Sequence, residues 1–199
     1  MSSFHIALVP VGKIDGDELR SAAARVTKTL RQPIEVRTSV ALPRASEDIE
    51  RAQHRAATLI GLLRTSLLQT KPGEMIGADD DSTKPPHKPD GVIFVTDADL
   101  FTAKTDGVYS ALISSKGIAV VSVRRTREAF YRRKTDPVKQ RTRLVKEILR
   151  MSARLRGNAE CPKPVCVLAA SKSIYDLDAK SESFCRACAL RLFERTIQV

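Results

Sequence analysis

The sequence predicts an α/β fold built on a mixed, mainly parallel twisted sheet with long helices. Three observations predict it. Short apolar runs bounded by Pro and Gly alternate with amphipathic stretches, the first half reads β-α-β-α-β, and 42% of the 199 residues are hydrophobic, enough for an ordinary core. No internal repeat is visible, and one domain over residues 1–199 accommodates the order.

Residues 4–9 (FHIALV) are nearly all apolar and run into Pro10 and Gly12, as a buried strand feeding a turn would. From Asp17 the spacing turns helical, with Leu19, Ala22, Ala23, Val26 and Leu30 on one face until Pro33 stops it. Residues 34–42 alternate and predict a strand with one wet face. Ser46 suits the N-cap of a long helix whose stripe is Ile49, Ala52, Ala56, Leu59, Ile60, Leu63 and Leu67, with Glu47 and Asp48 in its first turn. Residues 71–90 concentrate Pro, Gly, Asp and Lys and predict a flexible loop. Residues 91–96 and 117–123 then read as buried strands, with 108–113 as an edge strand between them. Asp136-Pro137 starts the last long helix, because Asp caps it and Pro occupies a position whose N–H has no partner anyway. That helix runs to about Leu155.

Charge identifies a surface. The chain carries 34 Lys and Arg against 23 Asp and Glu, a net +11, which favours a polyanionic partner. Residues 124–156 hold 13 basic residues and 3 acidic ones, Glu128, Asp136 and Glu147, so nearly all the excess sits in this segment. On the last helix Leu144, Val145, Ile148, Met151 and Leu155 share one face, while Lys139, Arg143, Lys146, Arg150 and Arg154 share another. A packed side opposite a cationic ridge is expected. No apolar run approaches the ~18 residues of a membrane span, and MSSFHIALVPVG has no secretory pattern, so a soluble cytoplasmic protein is expected.

The four cysteines fall in two close pairs. Cys161 and Cys166 are separated by four residues, and Cys185-Arg-Ala-Cys188 closes the set. Four thiolates suit one tetrahedral Zn²⁺ with no position left for substrate, which makes such a site structural and clamps residues 161–188. Redox work by Cys185 and Cys188, or four unrelated thiols, are the alternatives. The only histidines are His5, His54 and His87, too scattered for a histidine-ligated catalytic metal.

The frame Cys161-Pro-Lys-Pro-Val-Cys166, residues 173–180 (SIYDLDAK) and Ser183-Phe184-Cys185-Arg-Ala-Cys188 resembles the archaemetzincins, a family of small zinc metallopeptidases. Upstream, Val9-Pro10-Val11-Gly12, residues 95–101 (VTDADLF), and 119–122 (AVVS) through 128–131 (EAFY) also match that family in order. The resemblance implies a single-domain metzincin-like (zincin) fold with a zinc-clamped C-terminal segment. It also implies a catalytic helix HExxHxxGxxH immediately before the first cysteine. Counted back from Cys161, the three histidine ligands fall at Arg150, Arg154 and Glu160, and the general base at Met151. Gly157 keeps the glycine of the motif, and Leu168 stands at its later methionine. Guanidiniums offer only N–H donors and cannot ligate Zn²⁺, and Met151 cannot take a proton from water. The implied protein is an inactive homologue with one structural Zn²⁺ and no catalytic metal, in which Glu160 pairs with Arg150 or Arg154.

The expected partner is RNA or a ribonucleoprotein such as the ribosome. It is bound through Arg124, Arg125, Arg127, Arg132, Arg133 and Lys134 together with Lys139, Arg143, Lys146, Arg150 and Arg154 on the helix. Phe130 and Tyr131 lie among these residues, where they can stack on bases or pack in the interior. A peptide-binding pseudo-peptidase with a protein partner on an edge strand is the alternative, followed by a working peptidase with unfamiliar ligands.

Overall fold

Six consecutive residues that are all buried, Ile6–Val11 (β1), begin the main sheet. Then come Gly16–Leu30 (α1), Ile34–Val36 (β2), Glu47–Asp48 (β3), Gln53–Arg55 (β4) and Ala56–Gln69 (α2). Gly91–Thr96 (β5), Leu100–Thr102 (β6), Thr105–Val108 (β7), Ser110–Ile113 (β8) and Ile118–Ser122 (β9) follow. Two short 3-10 turns, Arg124–Thr126 and Glu128–Tyr131, lead into Pro137–Leu155 (α3), Ile174–Ala179 (α4) and Arg186–Glu194 (α5). The computed structural model describes residues 4–69 and 88–194. Most of the loop expected over 71–90, with His87, lies outside the described residues. No helix among the described residues is long and apolar enough to cross a membrane.

The main sheet has the order β2-β1-β5-β9-β8, with β8 antiparallel at one edge and the other neighbours parallel. Ile6, Leu8, Ile93, Val95, Ala119 and Val121 pack with α1 and α3, whereas Val9, Val11, Phe94 and Val120 pack with α2. Cover on both faces is why β1, β5 and β9 read as unbroken apolar runs. Pro10 sits inside β1 because its carbonyl accepts from Val40 N–H at 2.9 Å. The two backbone groups of one strand residue face the same neighbour, so the missing N–H of Pro10 points toward Val40 and no bond to β5 is lost.

The ends of α1 and α3 follow their sequence signals. The Asp15 carboxylate accepts from the N–H groups of Asp17 and Glu18, and the Asp136 carboxylate accepts from Lys139 N–H at 2.9 Å. After α3, Gly157 has φ +80°, a left-handed conformation that a side chain would strain.

The helix expected from Ser46 is a correction, since α2 begins only at Ala56. Ile49 is 87% exposed, Ala52 has φ +50°, and residues 47–55 instead give β3 and β4 of a second sheet, ordered β3-β4-β6-β7. Ser46 caps nothing: its hydroxyl donates to Pro43 O and bonds the His54 ring at 2.8 Å. The helical spacing of Ile49 and Ala52 with the true α2 stripe was coincidental. The strand expected over 108–113 is also divided, with Val108 ending β7 in the small sheet and Ser110 starting β8 in the large one.

Candidate functional site

The two cysteine pairs, separated by residues 167–184, converge on one point. The four Sγ atoms lie within 4.8 Å of one another, and Cys161 Sγ is 3.8 Å from Cys185 Sγ. A tetrahedron of sulfurs about 2.3 Å from Zn²⁺ has an edge of about 3.8 Å, so the spacing fits that ion. Four unrelated thiols would not converge in this way. The Cys185 N–H donates to Cys166 Sγ at 3.3 Å and an Arg191 guanidinium N–H donates to Cys188 Sγ at 3.2 Å, contacts that suit thiolates. The N–H of Cys188, with neighbouring sulfurs, pulls the Cys185 thiol down to about 7. Burial pushes Cys188 up to about 12. Backbone bonds set the loops: Cys161 N–H to Leu168 O, Cys166 N–H to Lys163 O and Val167 N–H to Ser183 O. Cys161, Cys166 and Cys188 belong to the core shared by α1, α3 and the sheet. Arg25 of α1 pairs with Glu182 between the cysteine pairs.

The second constellation lies where α3 meets β8 and α4. Glu147 is fully buried and accepts from the Ser110 hydroxyl at 2.6 Å, while Arg150 Nη1 and Lys180 Nζ approach its two oxygens at 3.3 Å. Burial by itself would raise the Glu147 carboxyl, but Arg150 and Lys180 outweigh it and hold the group below the usual carboxylate range. Lys180 Nζ also donates to Ala169 O at 2.8 Å. Arg150 donates to Ser110 Oγ at 3.0 Å and pairs with Glu160. The structure therefore brings Arg150 and Glu160 together, the pairing expected of them. Arg154 instead donates weakly to Asn158 O at 3.4 Å, and Met151 is buried in the main core.

The expected cationic ridge is corrected in part. Arg143 is completely buried: it donates to both oxygens of Asp178 at 2.6 and 2.7 Å and to Thr126 O at 2.7 Å, and its Nη2 lies 2.6 Å from Glu128. Lys146 is buried too, with Nζ on the carbonyls of Leu177 and Asp178 at 3.0 Å. Arg143, Lys146 and Arg150 are thus turned inward onto protein acceptors, and phosphate cannot reach the first two. Lys139 is half-buried, 3.3 Å from Asp178. The helical wheel found the polar side correctly, but that side is covered by α4 and the 3-10 turns.

The cations before α3 differ. Arg124, Arg132, Arg133 and Lys134 are exposed, Arg127 is half-buried, and Arg125 forms a two-pronged ion pair with Asp99 at 2.5 and 2.9 Å. Sequence reasoning missed Ser110, Lys180 and Tyr175; nothing local marks a serine on an edge strand or a lysine after a six-residue helix as a partner of α3. Among the described residues, the four cysteines are the only group of three or more His, Cys, Asp or Glu side chains that converge as metal ligands. His54 is engaged by Ser46, and His5 lies 4.0 Å from Glu35.

Residues 73–194 match the model of peptidase family M54. An archaemetzincin of Pyrococcus furiosus is 32% identical over 104 residues, covering 52% of this chain and 54% of that protein. One of Saccharolobus solfataricus is 32% identical over 103 residues, covering 52% and 55%. The chain spans about half the length of these curated relatives. In fold it is similar to a zinc-dependent peptidase from Methanocorpusculum labreanum, with TM-score 0.81 and 24% identity over 94% of this chain and 99% of that one. An archaemetzincin from Methanopyrus kandleri gives TM-score 0.75 and 24% identity over 98% and 96%.

Proposed function

The chain belongs to peptidase family M54, and on that premise we propose that it is a non-catalytic, archaemetzincin-like protein with one structural Zn²⁺ and an RNA-binding surface. One observation carries the loss of catalysis. Arg150, where the resemblance puts the first metal ligand, is a guanidinium held between Glu147 and Glu160. A positive group there opposes a divalent cation, and the neighbouring acids Glu147 and Glu160 are already paired with Arg150 and Lys180.

Zn²⁺ would be held by Cys161, Cys166, Cys185 and Cys188, where it supplies a crosslink between the two ends of the C-terminal segment. A reducing, cytoplasmic setting keeps those thiols available. Elemental analysis with a parallel peptide-hydrolysis assay tests the reading. One zinc per chain and no hydrolysis is the expected result; a second metal per chain together with hydrolysis overturns it.

On this reading the RNA surface is made by the cations that stay accessible before α3, Arg124, Arg127, Arg132, Arg133 and Lys134, with the half-buried Lys139 beside them; Arg154 lies in the last turn of α3, away from that segment. The ribosome is one ribonucleoprotein on which such a surface could dock. RNA affinity should fall steeply with salt and with Arg124→Glu plus Arg132→Glu. Affinity indifferent to both ends the RNA reading. The peptide-binding reading is favoured by a separate feature. Among the described residues β8 pairs with β9 alone, and Ala111, Leu112 and Ile113 line a pocket of about 210 Å³ with Ala56 and Ile60 of α2. A protein partner retained after nuclease treatment would favour that reading over RNA.

A further inference from the structure

The segment before α3 holds six cations and one carboxylate within residues 124–134, together with two aromatics, Phe130 and Tyr131. The fold adds a third aromatic from far along the chain. Tyr175, on the first turn of α4, is 68% exposed, and Arg133 lies against its ring at 5.6 Å while donating to its hydroxyl at 3.0 Å. The same guanidinium lies 5.3 Å from the Tyr131 ring, which meets Phe130 edge-on at 5.0 Å, and Phe130 carries Arg125 at 4.9 Å. Phe130 is 38% exposed. The series Tyr175, Arg133, Tyr131, Phe130, Arg125 is a continuous run of rings and flat cations in contact.

The middle of that series and its Arg125 end are fixed from beneath. Tyr131 OH donates to Arg125 O at 3.1 Å and meets Tyr109 OH at 3.2 Å, Arg125 is held by Asp99, and Arg133 has Glu128 at 3.6 Å. Glu128 is itself occupied by the buried Arg143. The outermost rings, Phe130 and Tyr175, face water, and Arg133 against Tyr175 is exposed as well. Neither a hydrocarbon patch nor a simple charged face has this composition. Planar groups flanked by phosphate-binding cations are the chemistry of unpaired nucleobases, whose faces stack on aromatics and guanidiniums while the backbone is neutralised alongside.

We propose that Tyr175, Arg133 and Phe130 form a stacking platform for unpaired bases of RNA, with Arg124, Arg132 and Lys134 taking the adjoining phosphates. This deepens the RNA reading and rests on it. The platform selects single-stranded over fully paired RNA, because paired bases keep their faces to themselves.

The test compares three labelled probes in fluorescence anisotropy: a short oligouridylate, a blunt RNA duplex of equal charge, and polyglutamate. The full chain should bind oligouridylate most tightly. Tyr175→Ala should weaken that binding by about 5- to 150-fold, the range of one lost base stack, with little change for the duplex. Tyr175→Phe should retain most of the affinity, since the ring remains. Tyr175 is peripheral, so neither change disturbs the core. If the duplex binds as well as oligouridylate, or Tyr175→Ala has no effect while RNA still binds, the platform is refuted and the broader RNA reading survives; if polyglutamate binds as well, the surface takes any polyanion and both are refuted. If no probe of RNA binds at low salt, both fall.

Discussion

Glu147→Gln is the change that most directly examines the ionic network beneath β8. The substitution keeps the shape and an acceptor for Ser110 but deletes the charge that faces Lys180 and Arg150, each at 3.3 Å. At an effective dielectric of about 20, a unit pair at that distance attracts by about 5 kcal/mol before desolvation is subtracted. Lys180 is completely buried and loses the carboxylate it pairs with, whereas Arg150 keeps Glu160, so the substitution leaves one uncompensated cation inside. Breaking one partner of such a pair costs about 3–5 kcal/mol. For a chain of this size, about 2–4 °C per kcal/mol translates that into a fall in Tm of about 6–20 °C. The pH dependence has a definite sign. The folded-state pKa of Glu147 is depressed, so its contribution is present above the unfolded value near 4.5 and is lost as pH falls through the lower folded value. Acid destabilisation should therefore be less steep in Glu147→Gln than in the parent. Thermal unfolding by circular dichroism from neutral pH down to pH 3 reads both effects. A Tm within about 1 °C of the parent at neutral pH would refute the account of the network. So would a Glu147→Leu, Lys180→Met double variant that loses as much as the two single changes combined, because replacing a buried pair by apolar groups should be close to neutral.

Asp136→Ala removes the side-chain cap of α3 and should cost about 1 kcal/mol, a drop in Tm of about 2–4 °C by calorimetry. Replacing Arg150, Arg154 and Glu160 together by His should add a second equivalent of zinc in elemental analysis, if the family frame places these positions around one point; a chain that still holds one zinc contradicts that placement. Removing zinc with a strong chelator should raise hydrogen exchange first across residues 161–192 and then along the α1–α3 interface, measured by mass spectrometry; exchange unchanged in both would deny the metal its structural role.

The central strands β1, β5 and β9 of the large sheet, with α1 and α3, were legible in the sequence because each keeps one pattern over at least five residues. The second sheet was not, because β3, β4 and β6 are two or three residues long, too short for alternation to register. The cysteine centre was legible from spacing alone. The fate of the basic residues was not. Arg143 and Arg124 look alike in sequence, yet one is sealed against Asp178 and Glu128 and the other faces water. What separates them is supplied by acids from other elements, a long-range fact that charge counting cannot contain. The Arg150–Glu160 pair was foreseeable only because the family frame put both at one place.

Ile6 and Leu8, near the beginning of the chain, share an interior with Cys188 and Leu192, near its end. During synthesis, then, the first strand waits for the second cysteine pair to emerge before its hydrophobic surroundings can close. Until that moment the nascent chain exposes an unfinished side of α1 and α3, and the four cysteines converge only at the final sealing step. Truncation anywhere before the second cysteine pair would yield an aggregation-prone fragment rather than a smaller working version of the molecule.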